Sequence, residues 1–229
     1  NDVRMALKLG IDREAFVKTV LRGYGSLGND HPIGTSQNYH ASDLPQRQYD
    51  PDKAKALLAE SSYNGETIRI LGLPYGETWQ RWAEAVKQNL SEIGMTTEIV
   101  PSDVAGWNQK VADRDFDLAF TYLYQYGDPA LGVSRTYMGD NAAPGSPWNN
   151  VADYQNPETD KLFDAAALMA SPDDRMAAYK TIQDKIVEDV PNIWLLELGF
   201  PTIYRCDVKN PVNTAFGVND GFRDVWIDK

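Results

Sequence analysis

The sequence predicts an α/β fold in which a mixed or parallel β-sheet is flanked by helices. Residues 67–71 and 116–124 alternate polar and apolar side chains as strands do, and residues 95–100 form a further strand between them. An amphipathic helix at residues 77–93 and a shorter helix at residues 103–113 separate the three strands. Strands that alternate with helices over short links indicate a mixed or parallel sheet covered by those helices.

The N-terminal part of the chain is predicted to contain three short helices and one long loop. Asp2 and Asp12 are placed to cap the first two helices, and Asp50 precedes a proline that begins the third. Residues 23–50 have no clear hydrophobic period. Loops of that length in compact domains are usually functional or wrap over a surface.

The C-terminal part is predicted to contain two further helices and two closing strands. Asn156 and Ser171, each followed by a proline, are placed to cap the helices. Residues 193–198 and 201–206 are predicted as the closing strands, and the chain is irregular from residue 210 to residue 224.

The composition is that of an ordinary globular protein, and its charge argues against two classes of partner. Of the 229 residues, 42% are apolar and 24% are charged, and no apolar run is long enough to cross a membrane. The formal charge of −11 opposes sequence-independent binding to nucleic acid and to anionic lipid. The first residues contain neither an initiating methionine nor a signal peptide, so we expect a mature or excised piece of a longer protein.

No residue pattern in the chain indicates catalysis. His31 and His40 have a spacing that is typical of no zinc site, and we interpret them as exposed loop residues. Nucleophile elbows, metalloprotease motifs, phosphate-binding loops and dinucleotide fingerprints are absent. The single cysteine, Cys206, excludes an intramolecular disulfide and is expected to be buried. We therefore predict that the chain is not an enzyme and holds neither a metal nor a cofactor.

Four stretches of the chain carry motifs in a fixed order. They are NDVRMALKLGIDR at residues 1–13, YDPDKAKALLAE at residues 49–60, the pair FD and GDP at residues 116–117 and 127–129, and NPETD at residues 156–160 with Arg175, Tyr179 and Gln183. In this order they resemble the family 5 extracytoplasmic solute-binding proteins, the oligopeptide, dipeptide and nickel class of ABC transporter components. The resemblance extends over nearly the whole chain.

This resemblance implies a periplasmic-binding-protein-like lobe with a mixed sheet flanked by helices. Complete members of the family are roughly twice as long, as two lobes around a cleft require. Residues 1–209 would form the C-terminal lobe, and residues 210–229 would return toward the hinge and the first lobe, which this chain lacks. The implied protein is a periplasmic monomer that binds a small molecule or short peptide and delivers it to an ABC permease in the inner membrane.

Three aromatic residues are candidates for contact with the ligand. Open α/β sheets bind ligands outside the carboxyl ends of their strands. Tyr75 lies in the loop after the first predicted central strand, and the resemblance places Trp107 and Tyr122 at the family's pocket aromatics. The alternative for each of the last two is a position in the core, where aromatics on alternating strands are common.

Two polar residues complete the candidate site. The resemblance implies that peptide-binding members carry an Asp, which holds the peptide's amine, at the position of Gln125. A neutral amide cannot form that charge-assisted bond, which puts a free peptide amine in doubt. Arg135 could supply a positive charge for a ligand carboxylate, with a solvent-facing or ion-paired role as the alternative.

These observations leave more than one function open. We expect capture of a peptide or peptide-like solute, and the alternative is the same transport role with an opine, a modified sugar or a metal chelate. An enzyme of unknown type is disfavoured by the absent catalytic groups. A cytosolic interaction module would be excluded by a signal sequence in the complete reading frame.

Overall fold

The structure is a computed structural model. It describes residues 1–28, 30–44, 46–123, 126–198, 203–211 and 224–228. Over these residues the chain forms eight α-helices, one 3-10 helix at Gly139–Asn141, and seven short strands. The α-helices are α1 (Asp2–Gly10), α2 (Arg13–Thr19), α3 (Pro51–Glu60), α4 (Glu77–Glu92), α5 (Val104–Ala112), α6 (Val133–Tyr137), α7 (Pro157–Leu168) and α8 (Pro172–Asp189). The strands are β1 (Ser26–Leu27), β2 (Ile68–Leu71), β3 (Thr97–Val100), β4 (Leu118–Ala119), β5 (Leu196–Glu197), β6 (Val208–Lys209) and β7 (Trp226–Ile227).

The central sheet is parallel, with the strand order β3-β2-β4. Ile70 of β2 is in register with Ile99 of β3 on one side and with Leu118 of β4 on the other. Helix α4 connects β2 to β3 and α5 connects β3 to β4, as the crossover between parallel strands requires. The strands β1 and β5 pair antiparallel, as do β6 and β7, so the lobe contains both strand orientations. The predicted α/β fold is confirmed.

The strands are shorter than the sequence patterns predict. The third central strand is predicted at residues 116–124 but spans only Leu118–Ala119, because its neighbour β2 ends at Leu71. The last ladder bond in this direction runs from the Phe120 amide to the Leu71 carbonyl, at 2.9 Å. Of the predicted closing strands, the first is reduced to β5. In the second, residues 201 and 202 lie outside the described residues, and residues 203–206 form no strand.

Side-chain caps fix the ends of most predicted helices. The side chains of four predicted caps accept hydrogen bonds from backbone amides of the first turn: Asp12, Asp50, Asn156 and Ser171. The prediction for Asp2 is wrong, because α1 already includes that residue and Asn1 is its N-cap. Asn1 instead donates from its side-chain amide to the Glu188 carbonyl at 2.9 Å, which ties the start of α1 to the end of α8.

Three apolar clusters hold the lobe together. The largest joins α1, α3 and α4 to the sheet and includes the fully buried Ala6, Ile70 and Leu90. A second cluster lies among α6, α7 and α8. The third, formed by Leu71, Leu73, Trp107 and Val111, joins β2 to α5 directly beneath the carboxyl ends of the strands. This third cluster forms the base of the candidate site.

Two residues lie in surroundings that the sequence analysis did not predict. His31 is only 4% exposed, which contradicts its interpretation as an exposed loop residue. It follows Asp30, whose buried carboxylate forms ion pairs with Lys8 and Arg13. Cys206 is exposed, so the prediction of a buried thiol is wrong, because its segment forms no strand that could cover it.

Candidate ligand-binding site

Five aromatic side chains meet at the carboxyl ends of strands β2 and β4. We call them the aromatic wall, and its members are Tyr75, Trp79, Trp107, Tyr122 and Trp148. Tyr75 and Trp79 follow β2 in the chain, and Tyr122 follows β4. Trp107 belongs to α5, and Trp148 comes from the loop after the 3-10 helix. This is the edge at which open α/β sheets bind their ligands.

The rings of the aromatic wall contact one another in an unbroken series. The ring centroids of Tyr75 and Tyr122 lie 6.5 Å apart, and Trp79 lies 6.5 Å from the first and 6.3 Å from the second. Trp148 extends the series, with centroid distances of 5.3 Å to Tyr122 and 4.8 Å to Trp107. The rings are tilted or edge-on to each other, as aromatic pairs prefer. The five side chains therefore form one continuous cluster.

Exposure changes systematically along the aromatic wall. Tyr75 is 43% exposed, whereas Trp79, Tyr122 and Trp148 are partly buried and Trp107 is fully buried. The indole nitrogen of Trp107 is buried without a hydrogen-bond partner among the described residues. Trp107 thus supports Trp148 from the third apolar cluster, and Tyr75 lies at the solvent end of the wall.

The loop that carries Trp148 is held by backbone and side-chain bonds on both sides. The Gly145 amide donates to the Ala112 carbonyl at 3.1 Å, which attaches the loop to the end of α5. The Arg114 guanidinium donates to the carbonyls of Ala142 and Asn150 at 3.1 and 2.9 Å. The fully buried Asn150 side chain bonds to further backbone groups of the same region. Trp148 is therefore fixed against Tyr122 even though its loop has no regular structure.

Arg135 is connected to the aromatic wall through this same loop. Its Nε donates to the side-chain oxygen of Asn149 at 2.7 Å, and Asn149 is the neighbour of Trp148 in the sequence. The side chain lies on α6 and is partly buried. The structure thus brings together four of the predicted site residues, namely Tyr75, Trp107, Tyr122 and, through Asn149, Arg135. Gln125, the fifth, lies outside the described residues.

The sequence does not predict Trp148 as a site residue, and Trp79 packs against the core as well as against the aromatic wall. Trp148 stands alone in a stretch rich in Asn, Gly and Pro, where no periodicity indicates which way a side chain points. Trp79 lies on the apolar stripe of α4, but it comes in the first turn of the helix, next to the sheet edge. An isolated tryptophan in a polar loop was the available signal for Trp148.

The described residues lack a cluster of metal-ligating side chains and a helix that could cross a membrane. Within the described ranges, no three His, Cys, Asp or Glu side chains come together as a metal site would need. None of the described helices combines the length and the apolar content that crossing a bilayer requires. The aromatic wall itself offers ring faces, which suit stacking against planar or apolar parts of a ligand.

Comparison with known families identifies the chain. The sequence model of the bacterial extracellular solute-binding proteins, family 5 (Middle), matches residues 1–145, which is more than half of the sequence. The chain belongs to this family. Three of the four motif stretches that resemble family 5 proteins lie within the matched residues, and the predicted family is confirmed.

Two similar proteins are named for binding different ligands. The chain is 29% identical to heme-binding protein A of Haemophilus influenzae, over 99% of this chain and 41% of that protein. It is also 29% identical to glutathione-binding protein GsiB of Pectobacterium atrosepticum, over 84% of this chain and 38% of that protein. The chain therefore spans about two-fifths of the length of these relatives.

A solved structure matches the fold over the entire chain. The periplasmic binding protein DppA of Helicobacter pylori, in complex with the peptide STSA, superposes with a TM-score of 0.85 at 21% identity. The match covers 100% of this chain and 44% of DppA. The fold of this family 5 solute-binding protein is thus that of part of a periplasmic binding protein.

Proposed function

We propose that this chain is the C-terminal lobe of a two-lobe solute-binding protein that captures a peptide or peptide-like solute for an ABC importer. The observation that carries the proposal is the aromatic wall, a continuous and partly exposed ring surface at the carboxyl edge of a parallel sheet. A ligand held between two lobes is largely buried, and this wall would form one side of its pocket. A protein of this class binds and releases its solute and carries out no reaction on it.

The proposed division of the chain places residues 1–209 in the lobe and residues 210–229 on the path back to the first lobe. Apolar side chains near this boundary support that arrangement, because Ile203 and Tyr204 before β6 and Trp226 and Ile227 in β7 are exposed. Such a group of exposed apolar residues suits contact with further protein. The complete protein would be a periplasmic monomer that docks on an inner-membrane permease.

A non-peptide ligand is the second candidate, with an opine, a modified sugar or a metal chelate as the classes. Two observations favour it. The sequence has a neutral amide at Gln125, where a peptide amine would meet a carboxylate in peptide-binding members. The relative named for binding haem is 29% identical to this chain, as is the one named for binding glutathione. Haem is a flat metal chelate that could stack on aromatic rings.

The proposal is tested with the full-length, two-lobe protein that it implies. Mass spectrometry of the protein as purified would identify any solute that it retains. Calorimetric titration with trialanine, glutathione and haemin would then compare the ligand classes directly. We expect one class to bind with micromolar affinity or better, and we expect Trp148→Ala to weaken that binding. Failure to retain a solute, together with failure to bind all three probes, would count against the proposal.

A further inference from the structure

We propose that Arg175 is a positioning residue, which acts from helix α8 to hold the turn after strand β4 and thereby sets the place of Tyr122 in the aromatic wall. The inference rests on the proposed function, since it concerns the same binding surface. Arg175 itself is not a member of the aromatic wall and reaches the turn through Asp128.

The contact between Arg175 and Asp128 joins two distant parts of the chain. Nη2 of Arg175 lies 3.0 Å from each carboxylate oxygen of Asp128. Nε of Arg175 donates to the carbonyl of Ala166, near the end of α7, at 3.1 Å. Both side chains of the ion pair are partly shielded from solvent, which strengthens a charge-assisted bond relative to a fully exposed pair. One guanidinium therefore connects the turn to the α7–α8 pair.

Two tyrosines fix the orientation of this guanidinium. Its central carbon lies 5.2 Å from the ring centroid of Tyr39 and 5.7 Å from that of Tyr179, within the range of cation–π attraction. The two rings also contact each other, with centroids 5.2 Å apart. Gln183, one turn after Tyr179, donates to the Tyr39 carbonyl at 2.9 Å and accepts from the Ala41 amide at 3.2 Å. The long N-terminal loop is thereby fastened to α8 around Arg175.

The turn that Arg175 holds has a conformation that needs external support. Tyr126 and Gly127 have φ angles of 48° and 76°, and the left-handed region is unfavourable for a residue such as tyrosine. Asp128 accepts a hydrogen bond from the Ala130 amide at 2.9 Å, and the Ser134 amide donates to the Pro129 carbonyl at 2.9 Å. The segment from Asp128 to α6 thus forms a rigid unit.

Tyr122 and this rigid unit are linked by only a few residues. Tyr122 lies two residues beyond the last described bond of β4 to the central sheet, which runs from the Phe120 amide to the Leu71 carbonyl. Its ring contacts those of Tyr75, Trp79 and Trp148, and the turn that Arg175 anchors begins at Tyr126, four residues further along the chain. Loss of the Arg175–Asp128 contact should therefore displace Tyr122. It should weaken ligand binding even though Arg175 is not part of the aromatic wall.

We expect the stability of the chain to depend much less on Arg175 than on the buried apolar side chains of α8. Ile182 and Ile186 pack in the second apolar cluster and do not rely on the guanidinium. The variant Arg175→Gln is therefore expected to fold, which allows a positioning role to be separated from a structural one. A matched control exists at the opposite, amino-terminal edge of the sheet, where Arg69 pairs with Asp117 at 3.1 Å and with Asp115.

The test compares Arg175→Gln, Arg175→Lys, Asp128→Asn and the double variant with Arg69→Gln, all in the complete protein. Hydrogen exchange of the amides of residues 126–134 and affinity for trialanine, glutathione and haemin are measured at a temperature at which every variant is folded. We expect Arg175→Gln to speed exchange in this segment and to weaken binding about tenfold for the probe that binds the wild type, the size expected for one charge-assisted bond. Arg175→Lys should restore part of the affinity, and the double variant should be no weaker than either single one.

Three results would overturn the inference. They are unchanged exchange in residues 126–134 of Arg175→Gln, faster exchange there with unchanged affinity, and an equal loss of affinity in Arg69→Gln. Failure of the wild type to bind any of the three probes would instead count against the proposed function, and the exchange rates would still decide whether Arg175 holds the turn.

Discussion

Lys8 and Asp30 form an ion pair in the interior of the lobe, with Nζ of the lysine 3.0 Å from a carboxylate oxygen and both side chains almost completely excluded from solvent. Arg13 binds the same oxygen at 2.6 Å, and the Arg47 amide donates to the other at 2.7 Å. One carboxylate thus compensates two buried cations. This arrangement fastens α1 and α2 to the start of the long loop.

Asp30→Asn should destabilise the lobe strongly, because it leaves Lys8 and Arg13 buried without a counter-charge. We expect a loss of about 3–5 kcal/mol in the free energy of unfolding, the range for removal of one partner from a buried pair. Lys8→Met should change stability by much less, since Asp30 retains Arg13 and the Arg47 amide. Urea denaturation at pH 7 measures both variants. Equal losses would show that the carboxylate is not the centre of the cluster.

Lys8 should also make stability depend on pH in the alkaline range. Burial, which outweighs the attraction of Asp30, lowers the pKa of Lys8 to about 8. Between that value and the pKa of the unfolded chain, near 10.5, the unfolded state binds more protons than the folded state. The free energy of unfolding should therefore rise with pH through this window, by roughly 3–3.5 kcal/mol in total.

The comparison that isolates this effect is with Lys8→Met, which lacks the titrating group. The stability of the wild type relative to this variant should increase from pH 8 to pH 10, measured by urea denaturation at constant ionic strength. A difference that stays constant would mean that Lys8 titrates alike in the folded and unfolded chains.

The sequence predicted those features that depend on local pattern. Alternation and helical periodicity located the central strands and helices, and short polar residues before prolines located Asp50, Asn156 and Ser171 as caps. Each of these features is determined by residues a few positions apart. The motif order then predicted the family, which the sequence model confirms.

The features that the sequence did not predict depend on residues far apart in the chain. His31 is buried because Asp30 beside it meets Lys8 and Arg13, and no local pattern indicates that meeting. Trp148 joins the aromatic wall because Arg114 holds its loop. In both cases a long-range polar contact places a loop residue, and hydrophobic periodicity carries no information about such contacts.

Gly28→Ala should destabilise the lobe for a steric reason. A Cβ atom at Gly28 would lie 2.1 Å from the Trp194 carbonyl oxygen and 2.7 Å from the Leu195 carbonyl carbon, both of them backbone atoms that cannot move aside easily. Gly28 also donates to the Leu195 carbonyl and accepts from Arg13, each at 2.9 Å. We expect the free energy of unfolding to fall by about 1–3 kcal/mol, the typical cost of overpacking.

Gly72→Ala is the matched control for that substitution. Its added Cβ would meet the Ala83 side chain at an ordinary 3.4 Å, and its backbone is not in the left-handed region. Thermal unfolding of the two variants should show a clear drop in Tm for Gly28→Ala only. Equal melting temperatures would mean that the chain at Gly28 can move away from Trp194 and Leu195 at little cost.

Tyr75→Ala should weaken ligand binding while leaving the lobe almost as stable as the wild type. Tyr75 is 43% exposed and contacts Trp79 and Tyr122 at the solvent end of the aromatic wall, so its removal takes away stacking surface and little core. Trp107→Ala, by contrast, should lower the free energy of unfolding by about 3–5 kcal/mol, because that ring is fully buried. Calorimetry on the complete protein, with the probe that binds the wild type, gives the affinities. Tyr24→Ala, which removes a 76% exposed tyrosine in the first long loop, is the control. A Tyr75→Ala variant with the affinity of Tyr24→Ala would exclude Tyr75 from the binding surface.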